Sequence, residues 1–146
     1  MKHWLLCVMM MAAGMGAAGS AAAADPANPL IGDKWTFRPL IIVTPSVDNP
    51  DYQRMRGIIA TRREAFEDRD MLLYTIENGE GERGGKPMTE AETTALLNAL
   101  KLDPHGPLTT VLVGKDGGKK VQQTGFVDPM TIFDTIDRMP MRQAGN

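Results

Sequence analysis

The sequence predicts an α/β sandwich of order β-α-β-α-β-β-α around a central four-stranded mixed sheet. Three observations lead there. The short runs PLIIVT, MLLYTI and LTTVLV are apolar, β-branched and without polar alternation, as strands buried on both faces are. Segments with apolar residues at helical spacing separate them. An Asp-Gly pair after the third run signals a hairpin. A chain of 146 residues suits one such domain.

Asp25–Gly32 (DPANPLIG) holds two prolines and little periodicity. Residues 25–33 are therefore expected to be a flexible leader before a domain at 34–142, with 143–146 as a tail. Pro39–Thr44 is the first strand. Asn49 suits a helix N-cap, Pro50 the first helical position and Asp51 the positive helix end. Tyr52, Met55, Ile58, Ile59 and Phe66 then mark the inner face of a helix reaching about Asp68. Met71–Ile76 is the second strand, and Glu77–Pro87 reads as a polar, glycine-rich loop.

Thr89 and Glu92 form a capping box for a helix whose inner face is Ala95, Leu96, Ala99 and Leu100. Leu108–Val113 is the third strand. Gly114–Gly118 turns it into Lys119–Thr124, a polar edge strand guarded by lysines. Asp128-Pro129 opens the last helix, which buries Ile132, Phe133, Ile136 and Met139 and stops at Pro140. Right-handed crossovers set the first three strands side by side, and the hairpin adds an antiparallel edge.

Charge and cysteine content narrow the function. With 16 Lys+Arg against 18 Asp+Glu, the balance of −2 excludes a strongly basic nucleic-acid binder. One Cys excludes an internal disulfide, a CxxC redox pair and a cysteine-rich zinc site. Residues 1–24 have the layout of a signal peptide: Lys2, an apolar run from Trp4 to Met11, and Ala21–Ala24 before Asp25. Cleavage after about Ala24 predicts a periplasmic or secreted protein with no membrane span. It also removes Cys7, so the mature chain does no thiol chemistry.

The strings PLIIVTPSVDNPDYQRM, TVLVGKDGG and IDRMPMR resemble bacterial members of domain-of-unknown-function family 4174, and the similarity runs from about Lys34 to Arg142. The resemblance implies a thioredoxin-like fold related to peroxiredoxins, with no settled activity. Related domains occur in animal sushi-repeat matrix proteins. On that resemblance Thr44-Pro45-Ser46-Val47 corresponds to the peroxiredoxin Thr-Pro-x-Cys. Val47 then stands where the reactive Cys would, Pro50 where a second thioredoxin Cys would, and Thr109 where a cis-proline would. Pro107 lies close by, and the Gly106–Pro107 isomer is left open. Valine has neither nucleophile nor proton to offer, so the redox mechanism is excluded.

Other signals are weaker. Gly79–Gly84 matches G-x-G-x-x-G, but the next helix is capped five residues later and Glu80 and Glu82 repel phosphate, so no nucleotide cofactor is expected. Met88, Met130, Met139 and Met141 offer thioethers to copper(I), although packing explains them as well. Arg54, Arg56, Arg62, Arg63 and Arg69 alternate with acids and read as a solvated face. His105, the sole mature histidine, sits in a turn.

The expectation is an exported, non-catalytic binding module without cofactor or metal. Its recognition surface is the loop Pro45, Ser46, Val47, Asp48 and Asn49 with Thr109, and its partner an envelope protein or matrix component. The alternatives are a hydrolase using Ser46 or Asp48, with Asp51 nearby, and a methionine copper(I) site.

Overall fold

A computed structural model describes residues 25–144. The expected signal peptide at 1–24 lies outside the described residues. Six strands form one sheet: β1 (Arg38–Thr44), β2 (Met71–Glu77), β3 (Glu80–Arg83), β4 (Lys86–Pro87), β5 (Thr109–Val113) and β6 (Lys119–Thr124). Their order is β4-β3-β2-β1-β5-β6. β1 is buried throughout, as its unbroken apolar run requires. It pairs parallel with β2 and antiparallel with β5, and β6 closes the edge as the exposed partner of β5. The four strands expected from the sequence, β2-β1-β5-β6, stand side by side as a mixed sheet and are consistent with a thioredoxin-like sandwich.

The structure corrects two points of topology. Glu77–Pro87 is not a loop: β3 and β4 extend the sheet from four strands to six. Both connections are two-residue turns with positive φ at each position, Asn78 (50°) with Gly79 (80°) and Gly84 (56°) with Gly85 (81°). Asn-Gly and Gly-Gly adopt that geometry at little cost, and its twist matches the flanking strands. The third strand, β5, also runs antiparallel to β1. The loop after α4 (Glu90–Leu100) explains this: it returns the chain to the end of the sheet where β2 finishes, so that His105 shares a hollow with Glu77.

Helices cover both faces. α2 (Pro50–Thr61), α3 (Arg63–Asp68) and α5 (Pro129–Asp137) pack Tyr52, Met55, Phe66, Phe133 and Ile136 on Leu40, Ile42 and Leu112. α1 (Leu30–Asp33) and α4 pack Leu30, Leu96 and Leu100 on Ile41, Val43, Tyr74 and Val111. Successive β1 residues thus feed opposite cores, the two-residue period of a strand. No helix among the described residues is long and apolar enough to cross a membrane.

Details differ from the sequence pattern. The helix expected to run unbroken to Asp68 divides at Arg62 (φ −114°, ψ 29°). α4 buries Leu97, while Ala99 is exposed. Met130 is exposed; Met139 lies beyond α5 and packs partly against the core; Pro140 opens a short α6 (Pro140–Gln143).

The stretch read as a leader contributes to the fold at its end. Leu30 and Asp33 are buried, and Asp33 accepts hydrogen bonds from the Tyr74 hydroxyl and from Arg83 Nη2 at 2.5 Å. Arg83 Nε also donates to the Tyr74 oxygen at 3.0 Å. Burial, then the bond to Asp33, pushes the Tyr74 phenol far above its ordinary pKa.

Candidate functional site

The loop between β1 and α2 is closed by its own short side chains. Thr44 Oγ1 donates to the Ser46 carbonyl at 2.8 Å, and Ser46 Oγ accepts from the Asp48 N–H at 3.2 Å. Asn49 Oδ1 caps α2 by accepting from Asp51 and Tyr52 N–H at 2.9 and 3.1 Å. Gln53 Nε2 donates to the Val47 carbonyl at 2.5 Å. Pro45, Ser46, Val47 and Asp48 are exposed, and Val47 keeps 45% of its surface in solvent.

Val43 pairs with Thr109 in the sheet, so the fold brings Thr109 to the end of β1 that carries this loop. The Thr109 side chain is buried, however, and its hydroxyl donates to the Pro107 carbonyl at 2.9 Å. Its contribution to any surface there is limited to the strand end. No peptide bond is cis among the described residues, Gly106–Pro107 included.

A nucleophilic serine needs a base within hydrogen-bond reach. Ser46 Oγ instead accepts a backbone N–H. His105, the sole histidine among the described residues, lines a different hollow. That hollow, of about 650 Å³, lies between the β2–β3 hairpin and α4, and its walls include Glu77, Glu80, Glu82 and Glu90. The glycine-rich motif thus folds as a hairpin beside four carboxylates, an environment that repels phosphate.

Residues 29–145 match the family model "Domain of unknown function (DUF4174)". The chain belongs to this family. No curated protein and no solved structure matches it.

The DUF4174 domain has a second hollow, of about 330 Å³, at the opposite end of β1 from the Pro45–Asn49 loop. Gly114, Lys115 and Asp116 from the β5–β6 turn meet Met139, Pro140 and Met141 there, with Lys120 and Arg38. Two of the strings that carry the family resemblance therefore meet in space. Lys115 Nζ pairs with Asp70 at 2.8 Å, and Lys120 Nζ with Asp116 at 2.8 Å. Arg38 is 1% exposed; its Nη1 donates to the Arg69 carbonyl at 2.9 Å, while its buried Nη2 has no partner among the described residues. Burial pulls the Arg38 pKa below the guanidinium value, with Asp70 opposing.

The four methionines Met88, Met130, Met139 and Met141 do not converge on one place. Met139 and Met141 meet in this cationic hollow, Met130 lies at the start of α5, and Met88 packs on the other face of the sheet. Sequence reasoning missed Arg38. It follows an ordinary loop and opens an apolar run, and nothing local marks its guanidinium as buried. The two strings were the available signal, since both end at this hollow.

Proposed function

We propose that this DUF4174 protein is an exported, non-catalytic binding module. It recognises an envelope protein or matrix component through Pro45–Asn49 and the adjoining strand end at Thr109. The observation that carries the reading is Val47. Its exposed aliphatic side chain stands at the loop position that, on the resemblance to peroxiredoxins, would hold a nucleophile, and hydrogen bonds from or to Thr44, Ser46, Asn49 and Gln53 tie the backbone around it. A tied loop with an apolar tip and no base beside its serine suits contact better than bond cleavage. Neither hydrolysis at Ser46 or Asp48 nor copper(I) capture gains a comparable observation.

Affinity capture from the envelope fraction tests the reading. Partners recovered with the native chain are expected to be lost with Val47→Asp/Asp48→Ala, which alters only exposed side chains. Retention of every partner by that variant would rule the loop out. The mass of the exported product tests export directly, and a chain beginning at Asp25 is expected.

A further inference from the structure

We propose that the hollow floored by Arg38 is a binding site for a small amphipathic monoanion, a carboxylate with a short hydrocarbon chain. The carboxylate engages the Arg38 guanidinium, and the chain lies along Met139, Pro140 and Met141. This site is at the far end of β1 from Pro45–Asn49, and the inference stands apart from the reading of that loop.

The first argument is the bare donor. Buried side-chain polar atoms are almost always satisfied, and a charged donor is the most expensive to leave bare. Arg38 Nη2 has no partner among the described residues, while Nη1 is held by the Arg69 carbonyl. Guanidinium nitrogens make short, charge-assisted bonds to carboxylates.

The second argument is charge. Lys115 is matched by Asp70, and Lys120 by Asp116. Among the described residues the Arg38 guanidinium is hydrogen-bonded only to a neutral carbonyl, and Asp70, which attracts it, is already paired with Lys115. Among the described residues one positive charge is left without a carboxylate of its own, which fits a monoanion. A phosphate dianion would leave an excess negative charge beside Asp116.

The third argument is the wall. Two thioethers and a proline ring supply an apolar side to the hollow, along which a hydrocarbon chain can lie. Methionine is unbranched and repacks easily, so Met139 and Met141 yield to let a ligand reach the guanidinium. A volume of about 330 Å³ is at the lower end of small-molecule sites.

The test uses the purified chain with 13C-methyl methionine, titrated with hexanoate, acetate, hexan-1-ol and inorganic phosphate. Hexanoate is expected to shift the Met139 and Met141 methyl signals saturably. Acetate, shorter by four methylenes, should bind about a hundredfold more weakly for want of the chain. Hexan-1-ol and phosphate should not saturate. Met141→Glu places a carboxylate at the exposed rim and should weaken hexanoate by about tenfold while leaving the melting temperature unchanged. Arg38→Met should abolish binding; if it also disrupts the fold, Met141→Glu still decides. No saturable shift with hexanoate would mean that water alone fills the hollow, and the inference fails. It fails equally if hexan-1-ol or phosphate binds as well as hexanoate, or if Met141→Glu leaves the affinity unchanged.

Discussion

Two buried hydroxyls show how much one oxygen can matter. Thr110 is fully buried on β5, and its Oγ1 has no hydrogen-bond partner among the described residues. Replacing it with a methyl of the same shape removes a desolvated polar atom. Thr110→Val is therefore expected to raise stability by about 1 kcal/mol, read as a higher urea midpoint with an unchanged slope. The Tyr74 hydroxyl is the opposite case, held between Asp33 and Arg83. Its folded pKa is raised, first by burial and then by Asp33. Its contribution is thus complete below the unfolded value of about 10 and is lost as pH rises above it. Tyr74→Phe should flatten the loss of stability across that alkaline range while lowering stability at neutral pH. Urea midpoints measured on both proteins over the range check this. Tyr52, whose pKa burial also raises, keeps the slope from vanishing.

Turn chemistry and close approach decide the elements. The capping box on α4 is present as expected, with Thr89 Oγ1 accepting from Glu92 N–H at 3.1 Å and Glu92 accepting from Thr89 N–H at 3.0 Å. Asn49 and Asp128 cap α2 and α5 in the same local way. The β2–β3 hairpin was also legible in Asn78-Gly79, yet the surrounding charge and glycine resemble a loop. What holds it on the sheet is non-local: α4 lies so close to β3 that a Cβ on Gly81 would meet Thr93 Oγ1 at 2.5 Å and Met88 Cε at 2.5 Å. The threonine branches at Cβ and cannot swing away. Gly81→Ala is therefore expected to cost about 1–3 kcal/mol in thermal or urea unfolding. Gly32→Ala, with open space at its Cβ, is the control and should be close to neutral.

For the whole molecule, the boundary of the domain is set by Asp33 rather than by the first strand. Deleting residues 25–33 removes the buried Leu30 and leaves Tyr74 and Arg83 without their carboxylate. A loss of about 3 kcal/mol or more is expected, whereas deleting 25–27 should change little. Thermal melts of the two truncations distinguish these outcomes. The sequence by itself determined the alternation of strands and helices, the burial of β1 and β5, the caps, and the lack of cysteine after position 7. Periodicity and capping act within a few residues, so they can be read along the chain. Only the tertiary structure decided that the sheet has six strands, that β5 runs against β1, and that Asp33 and Arg38 are interior. Those charges are held by partners 50 and 31 residues away, Arg83 and Arg69, and no local pattern reports a contact at that distance. The same holds for the hollow where the Gly114–Gly118 turn meets Met139–Met141: its parts stand in the sequence, and their meeting is a property of the packed fold.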